Sequence, residues 1–474
     1  MITLYNTLSR EKDPLPDQKK IRLFVCGPTV YDYLHIGNAR TYIFFDFFAK
    51  YLRAQGYEVE YVQNITDVDD KIIARAMTDG KETAAVATIF TQAYFDDMKA
   101  LGVDAVTTYA PATNFISQIV AQVERLIDKG FAYKIDGDGW YFDISRDPDY
   151  GKLSGRTAAQ AEDGVSRIDD SVGKRHKGDF CLWKFSQTSL KNLEPRWSSP
   201  LGDGRPGWHI EDTAISEFYF GPQYEIHGGG IDLKFPHHEA EIAQQESASG
   251  LVPFVKIWMH AGTLTVDGKK MSKSVGNFVT IREFLDAYGL VHGPALLRWI
   301  VLTHHYRAPF DYSEKVVAQA KNELEHLYRA IHDFSKQIHE LENNLLPGQK
   351  EILESKSTHD PKLYEAEFQT ALADDLNVAE AFAILYKLIA APDIHPKNKL
   401  ALLENWDAFL GLNLHKAYYD PAEEAKIADK LAEYAAYRGS KQFIQSDALR
   451  KEIESLGYEV RDTDDGPKVV KKFF

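Results

Sequence analysis

The chain has 474 residues, 44% of them apolar and 26% charged, enough for about three domains and too long for a lone binding module. No run approaches the ~18 consecutive apolar residues of a membrane span, and the opening MITLYNTLSREK lacks the basic-then-apolar layout of a secretory leader, so a soluble, cytoplasmic protein is expected. A formal charge of −15, from 70 acidic against 55 basic residues, excludes a wholly basic nucleic-acid coat but allows a local basic face, and two cysteines, Cys26 and Cys181, exclude a disulfide framework.

Ile21 to Cys26 reads as a strand, Gly27-Pro28-Thr29 as a sharp exit, Asn38 to Gln55 as a helix closed by Gly56, and Tyr57 to Gln63 as the next strand. This order predicts a right-handed βαβ crossover in a parallel sheet whose ligand lies at the C-terminal ends of the strands. Residues 113–205 differ, with a helix over Phe115 to Lys129 and short strands such as Gly139 to Asp143, and read as an insertion. Strand-like runs return at Glu225 to His227 and Phe254 to His260. From Ser313, an N-cap candidate, Val316, Val317, Ala320, Leu324, Leu327, Ile331, Phe334, Ile338 and Leu341 recur on one helix face. Loops are marked by Leu346-Pro347-Gly348 and Asp393 to Lys397, and Tyr419-Asp420-Pro421 opens a last small unit. The expected fold is α/β: a Rossmann-like parallel-sheet domain in two halves, 1–112 and 206–312, around the insertion at 113–205, followed by a mainly helical region, 313–418, and a small C-terminal unit, 419–474.

Two short motifs carry chemistry. His35-Ile36-Gly37-Asn38 stands at the mouth of a helix, where free N–H groups and positive potential suit a polyphosphate, Gly37 permits close approach, and His35 can donate a hydrogen bond. Read alone, it is equally a loop histidine capping a helix. Lys269-Lys270-Met271-Ser272-Lys273-Ser274 places lysines on a serine-rich loop, suited to following a phosphoryl centre through its transition state; alone, it is also an ordinary solvated basic loop.

Together, in this order and at this separation, the two motifs resemble the paired signatures of class I aminoacyl-tRNA synthetases. The surrounding words resemble the cysteinyl-tRNA synthetase family: Leu4 to Thr7, Cys26-Gly27-Pro28-Thr29-Val30-Tyr31-Asp32, Asn64 to Lys71, Gly207-Trp208-His209-Ile210-Glu211, and His227-Gly228-Gly229-Gly230-Ile231-Asp232-Leu233 running into Phe235-Pro236-His237-His238-Glu239. The likeness runs from residue 4 into the last unit, where Asp447 to Arg450 and Gly457-Tyr458 are similar to the family's ending.

That resemblance implies a zinc ion held by two cysteines, a histidine and a glutamate. Cys26, His237 and Glu241 fall on three of those positions, and the fourth is Asp212. His237 and Glu241, spaced i, i+4, share one helix face, as a metal site requires, although solvated helices carry such pairs too. Exchanging thiolate for carboxylate keeps the formal charge and hardens the site. A different metal, or an outer Asp212 with water or Glu211 ligating, remains open at this point. Cys181 is expected to be a core residue.

The resemblance further implies ATP-dependent activation of L-cysteine to its adenylate, with Mg²⁺ entering with ATP, and transfer to the 3′ end of tRNA(Cys). His35, Asn38, Lys270 and Lys273 take the catalytic positions; His35, Gly37, Asn38 and Lys273 those binding ATP. Asp232 falls where the substrate ammonium is held, while Gly27, Thr66 and Trp208 line the amino-acid pocket. A metal that needs a deprotonated sulfur separates cysteine from serine better than shape does, so no editing domain is expected. Region 313–418 corresponds to an anticodon-binding bundle; Phe368, Leu372, Asp375, Leu376 and Asn377 match a family word but read as helix packing. Lys174-Arg175-His176-Lys177 and Lys468, Lys471 and Lys472 are basic candidates for phosphate contact. A monomer is expected. The alternatives are a cysteine ligase acting on an amino sugar, against which the helical region argues, and a non-catalytic paralogue.

Overall fold

Five strands run parallel: β1 (Lys20–Val25), β2 (Glu58–Ile65), β3 (Thr108–Pro111), β4 (Tyr224–Gly230) and β5 (Val255–Ala261). They pair in the order β5-β4-β1-β2-β3, with Ile226 opposite Leu23 and Leu23 opposite Tyr61. Near-continuous burial of β2, β4 and β5 is what a sheet covered on both faces demands. Helix α1 (Ile36–Ala54) packs against β2 and β4. Phe24, Val62, Tyr224 and Trp258 share a buried cluster with Ile215 of helix α2 (Ile210–Phe220) and Ile242 of helix α3 (His237–Ser249).

This computed structural model describes residues 1–156, 171–186, 194–271, 276–344, 360–463 and 466–473. Two compact units emerge: one of Met1–Phe284, His305–Asp311 and Ala373–Leu376, the other of Leu285–His304, Tyr312–Leu372 and Asn377–Phe474. No helix among the described residues is long and apolar enough to cross a membrane.

Within the first unit, α1 begins two residues before the predicted Asn38, because His35 caps it: the imidazole accepts from Asn38 N at 3.2 Å and the Asn38 side chain accepts from His35 N at 3.3 Å. Arg40, buried in α1, donates to the carbonyls of Gly262, Thr263, Tyr306 and Ala308, so the chain leaving β5 is tied to this helix. The segment between β3 and α2 contains a helix, Ile116–Asp128, and an antiparallel sheet of Ala132–Ile135, Gly139–Phe142, Phe180–Phe185 and Gly204–Pro206. Its Val123, Phe142 and Leu182 share one apolar cluster with Ala214 of α2 and Ala240 of α3. Cys181 is not a core residue as expected; it is half-buried, because the phase of its strand sends Phe180 and Leu182 inward and turns Cys181 toward a small cavity beside Lys71, Arg205 and Trp208. In the basic run, Arg175 pairs with Asp143 at 2.9 Å and lies over the Tyr133 ring.

Arg22 of β1 grips Glu225 of β4 with two guanidinium hydrogen bonds of 2.8 Å and its backbone N–H at 3.1 Å. Burial alone would raise this carboxyl, but hydrogen bonds from Arg22 and Gln18 bring it from 4.5 down to about 2. A folded value below the unfolded one gives stability that is complete above the unfolded value and is lost as pH falls toward about 2. Glu225→Gln should therefore lower the urea midpoint near neutral pH, with the gap from wild type closing as pH is taken below about 4; a gap independent of pH would remove Glu225 as the titrating group.

The second unit is mainly helical. Ser313 receives the Val316 N–H at 3.4 Å and precedes the predicted long helix, found at Glu314–Asn344. Trp299 of Gly293–Leu302 stacks on Phe382 of Val378–Ala390 at 4.6 Å, and Phe368 stacks on Trp406 of Pro396–Leu410 at 3.9 Å, so Phe368 is packing, as expected. Leu372 is buried as well, and Asn377 caps Val378–Ala390 through Glu380 N. Asp375 and Leu376, by contrast, lie in a turn of the first unit. The last small unit pairs Pro421–Gly439 and Phe443–Ser455 with a hairpin of Tyr458–Thr463 and Gly466–Lys471 around Ile427, Tyr434, Ile453 and Val460. Of the tail lysines, Lys471 is paired with Glu423 at 2.7 Å and Lys472 with Glu459 at 3.8 Å.

Candidate active site and metal centre

At the C-terminal ends of the parallel strands the first unit opens into a cavity of about 500 Å³. Its wall brings together Cys26 and Gly27 after β1, His35, Gly37 and Asn38 at the entrance of α1, Thr66 after β2, Asp212 of α2, Asp232 after β4 and His237 of α3, with Trp208 beside them. Glu241 lies one turn along α3 from His237, behind the wall. Met271 also lines the cavity. Lys269–Lys270 of the lysine-serine motif pairs antiparallel with Leu264–Val266, and Asp311 holds that hairpin through Thr265 Oγ1 and Gly268 N. Lys273 lies outside the described residues.

Local geometry explains several of these positions. A Cβ on Gly27 would stand 1.7 Å from the Asn64 carbonyl oxygen, so only glycine lets the chain turn out of β1 here, and its N–H donates to Asn64 Oδ1 at 2.6 Å. A Cβ on Gly37 would lie 2.8 Å from the His35 ring, so glycine also leaves room for the capping imidazole. Burial pushes the His35 pKa down, with Asp232 partly opposing, and Phe278 meets the ring edge-on at 5.1 Å. Trp208 stacks on His237 at 4.5 Å, with the Lys71 ammonium 5.9 Å above its ring. Asp232 is exposed on the short helix Ile231–Lys234.

At this wall Cys26, Asp212 and His237, with Glu241 behind them, each place one donor atom within 4.8 Å of the others, and all are buried. His237 Nε2 is 3.1 Å from Asp212 Oδ2 and 3.1 Å from Glu241 Oε1, while Cys26 Sγ is 3.9 Å from Glu241 Oε1. The other His237 nitrogen meets His209 Nδ1 at 2.8 Å, and Asp212 Oδ1 accepts from Asn64 Nδ2 at 2.6 Å, so both donors are oriented from behind. Glu211 is not part of this group: its carboxylate turns away to accept from Thr66 Oγ1 and from Asn64 Nδ2. That hydrogen bond also occupies the Thr66 hydroxyl.

The electrostatics are those of a cation site. Burial, then the Asp212 and Glu241 carboxylates, drive the Cys26 thiol upward; burial, then Asp212 and Glu211, do the same to Glu241. Burial pushes His209, His227 and His238 well down, and His260 to about 3. Asp212 and Glu241 have only histidines as ion-pair partners among the described residues, and Glu241 Oε2 is buried without a hydrogen-bond partner. A thiol, an imidazole and two carboxylates converging without a cationic side chain fit a divalent metal.

The description "tRNA synthetases class I (C) catalytic domain" matches residues 13–322. The cysteine–tRNA ligase of Thermococcus gammatolerans is 39% identical over 98% of both chains, and that of Laribacter hongkongensis 40% identical over 98% of both. The chain belongs to the cysteine–tRNA ligase family. In fold it is similar to the methionyl-tRNA synthetase of Mycobacterium tuberculosis in complex with methionyl-adenylate (TM-score 0.56, 15% identity, 87% of this chain and 94% of that one). It is likewise similar to LeuRS of Agrobacterium radiobacter in a ternary complex with tRNA (TM-score 0.59, 12% identity, 85% of each chain).

For this member of the cysteine–tRNA ligase family, sequence reasoning assigned no role to Asn64, His209, His227, His238 or His260. Asn64 ties Gly27, Thr66, Glu211 and Asp212 together, and the histidines surround the metal donors. The available signal was the density of histidines at strand ends and at the start of α3.

Proposed function

We propose that this protein is an active cysteine–tRNA ligase that activates L-cysteine with ATP and transfers it to the 3′ end of tRNA(Cys). The observation that carries this reading is the likeness to cysteine–tRNA ligases over 98% of the chain combined with a buried metal-donor set at the wall of a cavity also lined by His35, Gly37, Asn38 and Met271. Zinc held by Cys26, Asp212, His237 and Glu241 would supply an ion that takes a thiolate in preference to a serine hydroxyl.

The chain's own residues account for the rest. Asp232 receives the substrate ammonium, and Gly27, Thr66 and Trp208 bound a pocket sized for a small side chain. The cysteine carboxylate attacks the α-phosphorus, the bond from that phosphorus to the bridging oxygen of the β-phosphate breaks, and pyrophosphate leaves; Mg²⁺ accompanying ATP would neutralise part of the phosphate charge. His35 and Asn38 at the α1 entrance, beside Gly37, together with Lys270 and Lys273 stabilise charge spreading toward pyrophosphate. A terminal hydroxyl of the tRNA then attacks the aminoacyl carbonyl and AMP departs. We assign 1–112 and 206–312 to the catalytic domain, 113–205 to the connective insertion, 313–418 to anticodon binding and 419–474 to a small C-terminal unit, in a monomeric, cytoplasmic enzyme.

The test combines metal content with pyrophosphate–ATP exchange for wild type and Asp212→Cys. Wild type should carry at least about one zinc per chain and exchange with cysteine but not serine, and Asp212→Cys should retain both. A wild type lacking metal and exchange, with both restored by Asp212→Cys, would replace this reading with that of a non-catalytic paralogue.

A further inference from the structure

We propose that the protein contains a second, closed metal position held by Cys26, His227, His238 and Glu241. The proposal goes beyond the ligase reading and does not depend on it. These four donors also lie within 4.8 Å of one another and are all buried. Cys26 Sγ is 3.3 Å from His227 Nε2 and 3.1 Å from His238 Nε2; Glu241 Oε2 is 3.5 Å from His227 Nε2, and Oε1 is 4.0 Å from His238 Nε2. Bonds of 2.0–2.3 Å in a tetrahedron separate neighbouring donor atoms by about 3.3–3.7 Å, close to this spacing.

The imidazoles are already turned for ligation. His227 Nδ1 meets Tyr224 OH at 2.6 Å; His238 Nδ1 meets His260 Nε2 at 2.8 Å, and His260 Nδ1 meets Thr7 Oγ1 at 2.8 Å. Each Nδ1 is engaged from behind, which aims each Nε2 at Cys26, the arrangement that orients histidines on metals. Glu241 can serve both positions, because Oε1 faces His237 at 3.1 Å while Oε2 faces His227 and has no hydrogen-bond partner. His227 and His238 are absent from the cavity wall that contains Asp212 and His237. The inner position is therefore closed by four protein donors and binds a divalent ion with affinity for sulfur and nitrogen, whereas the outer one opens on the cavity.

The full-length protein is stripped with chelator, equilibrated with Co²⁺ alone, and read by metal analysis and absorption. Asp212→Ala/His237→Ala should still bind about one cobalt per chain with a sulfur-to-cobalt charge-transfer band and four-coordinate visible bands, and adding His227→Gln/His238→Gln should reduce binding at least about tenfold. Loss of cobalt from the first variant with wild-type circular dichroism, or its retention by the fourfold variant, overturns the proposal. Should the first variant misfold, wild type decides the matter: about two cobalt ions per chain at saturation support the inner position, and saturation at about one overturns it.

Discussion

His35→Asn is expected to lower cysteine-dependent adenylate formation by about 10²–10³-fold, mainly in kcat, while leaving the melting temperature within about 2 °C of wild type. The argument rests on the two ends of one imidazole. Nδ1 accepts from Asn38 N and caps α1. Burial holds the ring toward the neutral form, so with Nδ1 accepting, the proton resides on Nε2, the donor a phosphate oxygen needs. Asparagine is a favoured N-cap and preserves the first role while removing the second. His35→Ala removes both and should cost a further ~1 kcal/mol of stability. Pyrophosphate exchange and thermal melts on the two variants separate the roles; if His35→Asn keeps its rate within about threefold of wild type, His35 is only a helix cap.

The same residue shows what the sequence makes visible. A histidine cap is less common than serine, threonine or aspartate, so the helix reads from Asn38 when it starts at Ile36. The strands Ile21 to Cys26 and Phe254 to His260 are legible because a sheet buried on both faces favours predominantly apolar runs, and these two, with Glu225 to His227, are found inside or one residue from Lys20–Val25, Val255–Ala261 and Tyr224–Gly230. The i, i+4 pair His237 and Glu241 is legible for the same local reason, as one face of α3. Asn64, His227 and His260 are not: they reach Cys26 and its partners from separate strands, and only the strand order brings them together. Cys181 fails on phase, since a one-residue shift in a strand exchanges the core face for the cavity face.

Asp375→Ala should cost the first unit about 3 kcal/mol, an effect that a reading of this residue as helix packing does not anticipate. Asp375 instead sits in a turn with φ of 55° at both Asp375 and Leu376, and its side chain is a four-way acceptor. Oδ1 takes Tyr5 N at 2.8 Å and Tyr306 OH at 2.7 Å; Oδ2 takes Arg307 Nε at 2.9 Å and Nη2 at 2.6 Å. Its own N–H donates to the Thr3 carbonyl at 2.9 Å, so three segments distant in sequence meet at one carboxylate that is 1% exposed. Tyr306 then stacks on Phe44 of α1 at 4.4 Å, carrying the clamp into the helix that begins at His35. Truncation leaves the Tyr306 hydroxyl, the Tyr5 N–H and the Arg307 guanidinium without their acceptor, and the buried Tyr306 hydroxyl bears most of the desolvation cost. Asp375→Asn should recover less than half of the loss, because its amide N–H₂ faces donors where an acceptor oxygen stood. Hydrogen exchange in peptides covering Thr3–Asn6 and α1 reads the effect as about 150-fold faster opening at equilibrium for Asp375→Ala. A change below about fivefold in those peptides would mean that the three segments are held by their apolar contacts alone.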